Sequence, residues 1–487
     1  MLDQPTLLQY DWQRDDLQVK GVDNMASLVL TDEQLSRKQK IGLILSLAIP
    51  AMLEQILHTL VGFVDLFFVS SLGATAIAAV GVANSMVLVA MAIFMAVGVS
   101  ASSYITQSIG AGREKEAAAY ARQAIVLSSA IGILFGLAAL FFAAPILKIM
   151  GAEPDVLEEA VAYFRIVGGS ALFLSLMVTL GSILRSNGDT RTPMKVSLWI
   201  NIVHVGLDYV FIFGLGSFAG WGVAGAAWAT ALVRVLGAVA LFIAVHKSSE
   251  QIWSGFSWRE LLGKPAQEMA WRSLPVLTEK MIMRLGVLLY YGAIIQMGTK
   301  AYAAHMIASN LESLMILAGA GFEVAATVLV GQYLGAKRSR DAYSFGMICM
   351  WLGLGLMSIF GFALYLCAPW IATIFTEDAQ IIDYVVIALT YMALYQPPLA
   401  LLLILRGGLQ GAGDTKAPMY ATAVGMWLVR MVGVYLFGFQ LEMGLSGVWL
   451  AIFLDVLIRG IFLLYLYKRR FQHIRRNEGM ERTAQIG

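Results

Sequence analysis

Four long stretches of the chain contain no Asp, Glu, Lys or Arg: residues 66–112, 123–147, 209–233 and 342–376. A helix needs about 20 apolar residues to cross the roughly 30 Å hydrocarbon core of a bilayer, and each stretch is long enough. Over all 487 residues only 14% are charged and 59% are hydrophobic. Soluble domains carry roughly 25% charged residues, so the sequence predicts a polytopic integral membrane protein.

Apolar runs separated by polar breaks predict an all-α fold with twelve transmembrane helices. The expected spans are 41–69, 76–108, 120–146, 160–184, 196–215, 222–245, 271–297, 301–332, 342–368, 384–405, 419–438 and 445–467. A polar tail at 1–40, a linker at 247–270 and a basic tail at 468–487 account for the longer polar segments.

Alternate loops differ in charge. The basic set comprises Arg113/Lys115, Arg185/Arg191/Lys195, Lys247/Arg259/Lys264, Lys337/Arg338/Arg340, Lys416 and the C-terminal tail. The other loops are acidic or nearly uncharged. Because short basic loops stay in the cytoplasm, we predict a multi-pass protein of the plasma (inner) membrane, in contact with lipid, with both termini cytoplasmic.

The chain is a tandem repeat with a constant offset of 225 residues and no gap. Pro50 and Glu54 recur as Pro275 and Glu279. The other repeated residues include Gln107/Gln332, Gly110/Gly335, Gly188-Asp189-Thr190/Gly413-Asp414-Thr415 and Arg234/Arg459. With six spans in each half, this is a parallel repeat of two lobes, 41–246 and 271–467, with the substrate cavity between them.

Several other protein classes are excluded. A net charge of +2 does not indicate a nucleic-acid-binding protein, because such proteins concentrate Lys and Arg on one face. The two cysteines form no CxxC, so neither a zinc site nor a disulfide framework is indicated. The Gly-Asp-Thr loops lack the Gly-Lys-Ser/Thr of a P-loop. We therefore expect a transporter rather than an enzyme, with no cofactor. The oligomeric state stays open and is compatible with a monomer.

A set of motifs in fixed order resembles the multidrug and toxic compound extrusion (MATE) family over about Ser46 to Tyr467. They are Val64-Asp65 with Leu72-Gly73-Ala74, Gln107-x-x-Gly110-Ala111-Gly112, Arg185-Ser186-Asn187-Gly188-Asp189-Thr190, Leu207-Asp208-Tyr209-Val210-Phe211-Ile212-Phe213-Gly214 and Gly222-Val223-Ala224-Gly225-Ala226-Ala227-Trp228-Ala229-Thr230. The resemblance implies an antiporter that expels organic cations while H⁺ or Na⁺ enters.

Asp65, Asp208 and Thr230 fall at similar predicted depths in the first lobe, so they are candidates for one cluster. A carboxylate inside a membrane costs several kcal/mol and marks an ion or substrate path by default. The cluster could exchange protons, or its oxygens could bind Na⁺, and the resemblance assigns these three residues to ion coupling. The alternative is that Asp65 caps span 1 and Asp208 binds a neighbouring helix.

His204 departs from the family pattern, because many relatives have Asn at this position one turn before the span 5 acid. Asn201 lies three residues earlier. Imidazole titrates near neutral pH, so His204 is either part of the proton site or a neutral, hydrogen-bonded packing residue.

Each lobe also has a proline followed one turn later by a glutamate, Pro50/Glu54 and Pro275/Glu279. A proline can kink a helix, and the carboxylates could attract cationic drugs, which would suit a gate. Alternatively, the glutamates are satisfied acids at the contact between the lobes.

The repeat places Tyr290 and Gly433 at the positions of Asp65 and Asp208. Ion coupling is therefore expected only in the first lobe. Arg430 and Asp455 fall at comparable depth in the second lobe, and Asp455 with Arg459 is an i, i+4 pair. Salt bridging is the default because buried charges persist as pairs, and the alternative places Glu312 or Asp455 in the substrate cavity.

These features together predict a secondary antiporter that exports organic cations by alternating access. The main alternative is a lipid-linked oligosaccharide flippase of related layout, which would line its cavity with several arginines. A transporter of the major facilitator type is less favoured, because its basic loop after span 2 is missing.

Overall fold

The computed structural model describes residues 35–216, 218–248, 252 and 264–486. The first-lobe elements are α1 (Arg37–Ser70), α2 (Ala74–Gly110), α3 (Glu114–Ile149), α4 (Pro154–Gly169), α5 (Ala171–Ser186), α6 (Arg191–Phe213), the short hairpin β1 (Gly214–Leu215) and β2 (Phe218–Ala219), and α7 (Gly222–Ser248). The second-lobe elements are α8 (Lys264–Gln296), α9 (Thr299–Gly335), α10 (Ser339–Phe375), α11 (Ala379–Gly411), α12 (Lys416–Ala423), the π-helical segments Val424–Met431 and Val434–Gln440, and α13 (Gly444–Ile486).

The predicted all-α polytopic fold is confirmed. Ten helices among the described residues are long and apolar enough to cross a membrane, and the bent pair α4 and α5 makes an eleventh span. The twelfth span is α8, which has the required length but carries Glu279, Lys280 and Arg284 along its course. Two six-helix lobes result, as the repeat predicts.

The ends of the lobes differ slightly from the predicted boundaries. Helix α1 begins at Arg37, four residues inside the predicted N-terminal tail, where Ser36 and Gln39 form a capping box. Helix α13 continues to Ile486 through the predicted C-terminal tail. Residues 1–34 of the tail, and 249–251 and 253–263 of the predicted linker, lie outside the described residues.

The membrane-facing surface is built from large apolar side chains. Leu134, Phe141, Leu288 and Trp370 are each about two-thirds or more exposed, at 67%, 72%, 69% and 68%. A soluble protein rarely exposes apolar surface on this scale. The lobes instead pack internally around residues such as Phe164 in the first and Trp449 in the second, which are 1% and 0% exposed.

Predicted span 4 is two helices rather than one, with a bend of 43° between α4 and α5. The break falls at Ser170, after two glycines, a composition typical of helix kinks. Arg234 on α7 donates from Nη1 to the Val167 carbonyl at 2.7 Å and to Ser170 Oγ at 3.0 Å. This guanidinium therefore satisfies polar groups that the break exposes inside the lobe.

Predicted span 11 changes from α-helix to π-helix at Val424. The change coincides with close packing, because a side chain at Gly425 would overlap Asp455 and Arg459. The π-helical turn also carries the buried Arg430. Such widened turns recur where a helix accommodates a specific polar contact.

Candidate functional site

The buried face of α6 is polar in the middle of the first lobe. Its buried residues follow helical spacing and include Asn201, His204 and Asp208. Helix α6 packs against α1 and α7, which carry Asp65 and Thr230. The helix packing therefore brings together all four residues predicted for ion coupling.

The distances define a compact cluster around the His204 ring. Nδ1 lies 3.8 Å from Asp65 Oδ1, and Nε2 lies 3.5 Å from Asp208 Oδ2. Thr230 Oγ1 lies 3.4 Å from the same Nε2 and donates to the Ala226 carbonyl at 3.0 Å. One atom from each of Asp65, His204 and Asp208 lies within 4.8 Å of the other two. Each ring nitrogen of His204 therefore lies close to one carboxylate, and the two carboxylates are also in direct contact with each other.

A cavity of about 100 Å³ adjoins the cluster. Asp65, Asp208 and Thr230 line it together with Asn84 and Tyr163. The Asp65 side chain is 35% exposed, whereas that of Asp208 is 2% exposed. Asp65 thus stands on the accessible side of the imidazole and Asp208 on the enclosed side.

Two carboxylate oxygens of the cluster are incompletely satisfied. Asp65 Oδ1 and Asp208 Oδ2 are buried and have no hydrogen-bond partner within the part of the chain that the structure describes. Unsatisfied buried acceptors are costly and call for an explanation. A bound proton or cation would supply the missing partner, so the donor set fits an ion-exchange site.

At the equivalent position of the second lobe, the acidic side chain is already paired with arginines. The repeat replaces Asp65 by Tyr290 and Thr230 by Asp455. Asp455 binds Arg430 Nε at 2.8 Å and Arg459 Nε at 2.7 Å, and its side chain is 0% exposed. The predicted pairing of these three residues is confirmed. Because both arginines neutralise the acid, this lobe offers no equivalent ion-exchange cluster at that position.

Comparison with known proteins places the chain in a family. The MatE family model matches residues 50–210 and 275–436, two segments that begin 225 residues apart, as the repeat does. The chain belongs to the MatE family. The family assignment agrees with the predicted resemblance and makes the protein a transporter.

Named relatives extend this similarity over most of the chain. The "Probable multidrug resistance protein NorM" of Thermotoga maritima is 30% identical over 428 residues, 87% of this chain and 91% of that protein. The "Multidrug resistance protein PmpM" of Pseudomonas aeruginosa is 26% identical over 450 residues, 90% of this chain and 94% of that protein. A crystal structure of "MATE in the bent conformation" aligns with a TM-score of 0.84 at 22% identity, covering 93% of this chain and 99% of that one.

In this MatE protein the two repeat-related glutamates bind arginines of their own lobes. Arg185 Nη1 donates to both oxygens of Glu54, at 2.9 and 3.1 Å. Arg406 Nη1 lies 3.7 Å from Glu279 Oε1, and Arg406 also binds Glu323 through two bonds of 2.8 Å. The gating role of Glu54 and Glu279 stays a prediction, and in the described state both glutamates are paired with arginines.

Pro50 and Pro275 both lie inside continuous helices, α1 and α8. The described state therefore has no break in either helix at the proline. Each proline still removes one backbone hydrogen bond, so these positions remain the predicted sites of bending.

Sequence reasoning missed several residues of these sites. Asn84 and Tyr163 line the cavity, and the presence of Asn84 in the charge-free stretch 66–112 was an available signal. Arg185 was assigned to a basic loop, whereas it lies in the last turn of α5 and reaches Glu54. Which acid an arginine reaches depends on helix rotation, and that cannot be read from spacing alone.

Proposed function

We propose that this MatE protein is an antiporter that exports organic cations by alternating access, driven by proton entry. Two of its relatives are named for multidrug resistance, which supports a drug-like substrate. The observation that carries the coupling proposal is the Asp65–His204–Asp208 cluster. The sequence left H⁺ and Na⁺ open, and the geometry of His204 favours H⁺.

The argument for protons starts from ligand chemistry. Na⁺ is a hard cation and prefers a shell of oxygen ligands, whereas imidazole suits transition metals. Asp65, Asp208 and Thr230 supply oxygens for Na⁺, but the ring of His204 adds a nitrogen within 3.8 Å of Asp65 and another within 3.5 Å of Asp208. An imidazole in that place can take a proton at one nitrogen and release one at the other.

In the proposed cycle a proton arrives at Asp65, which is the more exposed acid, and is shared with Asp208 and His204 within the cluster. Neutralising this cluster changes the charge at α1 and α6, and bending of α1 near Pro50 then weakens drug binding. The membrane potential contributes about 2.3 kcal/mol per charge per 100 mV. Exchange of one monovalent cation for one proton moves no net charge, so the potential adds this energy only for each proton that enters in excess of the exported charge.

The flippase alternative is less favoured by the arginines in the structure. A pyrophosphate would need unpaired positive charge in the cavity. Arg185, Arg406 and Arg459 each bind a carboxylate of the same lobe. Arg185 and Arg406 are therefore each paired with an acid, whereas Arg459 shares Asp455 with Arg430.

The test is export of a fluorescent cationic dye from proteoliposomes under separately imposed proton and sodium gradients. We expect the proton gradient to move the dye, a protonophore to abolish the movement, and the sodium gradient to have no effect. Movement under sodium alone would assign Na⁺ to the cluster. No movement under either gradient, with folded protein in the membrane, would overturn the antiporter proposal.

We expect His204→Gln to weaken the pH dependence of proton-driven export. Gln keeps hydrogen-bonding capacity but does not titrate, so the cluster loses one of its three proton-exchanging groups. The measurement is the initial export rate between pH 5.5 and 8.5. The matched control is His305→Gln, which removes a buried histidine of the second lobe; it should change yield without changing the shape of the profile. An unaltered profile in His204→Gln would make His204 a packing residue.

A further inference from the structure

The two repeat-related glutamines Gln107 and Gln332 both reach from one lobe to the other. Gln107 on α2 donates from Nε2 to the Gly411 carbonyl of α11 at 2.8 Å. Gln332 on α9 donates from Nε2 to the Ser186 carbonyl of α5 at 2.9 Å. Donors and acceptors are both related by the 225-residue offset. The two hydrogen bonds therefore form a symmetric pair across the interface.

The acceptors explain why an amide is required. Ser186 and Gly411 are the last residues of α5 and α11. The last four carbonyls of a helix have no partner within the helix and must be satisfied by another donor or by water. Each glutamine is thus a C-terminal cap supplied by the opposite lobe. Such a cap can be exchanged for water when the lobes separate.

Glycines let the helices approach closely at the same level. Gly110 and Gly335 follow the two glutamines by one turn and are also repeat mates. A side chain at Gly110 would overlap the backbone of Gln332, and one at Gly335 would overlap the backbone of Gln107. Helices α2 and α9 therefore touch through their backbones between the two hydrogen bonds.

The contact lies at the end of the molecule that carries the basic loops, which is predicted to face the cytoplasm. Two further inter-lobe bonds stand nearby: Ser100 Oγ donates to the Met269 carbonyl at 2.9 Å, and Arg272 Nη1 donates to Ser103 Oγ at 3.2 Å. In the described state the lobes are therefore closed at this end.

We propose that Gln107 and Gln332 are paired positioning residues that hold this end closed and exchange their carbonyl partners for water in each transport cycle. The role in the cycle rests on the proposed antiporter function. The closure itself rests only on the two inter-lobe hydrogen bonds and the glycine contact.

The test measures closure directly by the distance between two spin labels. Lys115 and Arg340 are exposed repeat mates at the beginning of α3 and α10, so each reports on one lobe. Both are changed to Cys for labelling, in a full-length chain whose native Cys349 and Cys367 are changed to Ala. The readout is the ratio of the long-distance to the short-distance population, without substrate or ion gradient.

Gln→Met keeps the side-chain length and removes the donor. We expect Gln107→Met and Gln332→Met each to raise the open-to-closed ratio about fivefold. The double variant should raise it about 25-fold, because the two bonds are separate. Gln380→Met is the control: Gln380 is exposed and its amide donates to Tyr384 Oη at 3.3 Å, so the ratio should not change.

Three results would overturn the proposal: no change in either variant, a change in only one, or an equal change in the Gln380→Met control. If Gln332→Met fails to fold, Gln107→Met and Gly110→Ala carry the test, since the added methyl group must push α2 and α9 apart. If the ratio changes in a protein that moves no dye under any gradient, the antiporter function is rejected. The role of Gln107 and Gln332 in holding this end closed would still be supported.

Discussion

Asp208→Asn is expected to reduce proton-driven dye export to the leak rate of protein-free vesicles. The size of the loss is set by the background leak, because net export has no driving ion once the exchangeable proton is removed. Asp208 is almost completely enclosed, with 1% of the residue exposed, and Asn has nearly the same size. The substitution therefore removes the exchangeable proton with little change of packing.

Asp65→Asn should have the same effect, because the two acids are proposed to hold the coupling proton together. Energy-independent exchange of dye across the membrane should survive in both variants, since the substrate path is unaltered. Coupled export that persists in either variant would contradict the assignment of the cluster. Retention in one variant only would leave the other residue as the sole coupling acid.

The matched control is Asp378→Asn, at the N-terminus of α11. Lys300 and two backbone amides hold the pKa of the Asp378 carboxyl below its usual range. This group therefore stays ionised between pH 5 and 8 and exchanges no proton there. Asn can accept the same capping bonds, so the variant should transport at the wild-type rate.

How far the sequence predicts this molecule differs from feature to feature. The apolar runs and the 225-residue offset predict twelve spans and two lobes, because hydrocarbon imposes length and composition on each helix. Asp65 and Asp208 are predicted as a cluster, because an acid at membrane depth needs a partner. These inferences depend on local composition and on depth, which the sequence contains.

Other features depend on how neighbouring helices are rotated. Spacing leaves two roles open for His204, and only the packing of α6 against α1 brings its ring close to both acids. The two glycines before Ser170 indicate the bend. The sequence does not indicate that Arg234, on a distant helix, donates hydrogen bonds to the polar groups at the break. The π-helical turns at Arg430 have no signal in composition, and they coincide with the close packing of Gly425 against Asp455.

The largest expected effect on stability comes from Asp455→Asn. Asp455 lies between Arg430 and Arg459, and all three residues are buried, at 0%, 5% and 3% exposure. Removing the only carboxylate of this triad leaves two guanidinium groups without a counter-charge, and breaking a buried pair typically costs about 3–5 kcal/mol. The expected drop in Tm of the purified protein is about 6–20 °C, taking a lobe of about 200 residues as the unfolding unit.

Replacing the whole triad separates the need for charge from the need for packing. Arg430→Met/Asp455→Leu/Arg459→Met fills the space with apolar side chains, and such exchanges are often neutral or stabilising. We expect this variant to recover most of the lost Tm and to retain proton-driven export, since coupling is assigned to the first lobe. A recovered Tm with lost export would place Asp455 in the substrate or ion path, whereas an unchanged Tm in Asp455→Asn would remove the triad from the stabilising core.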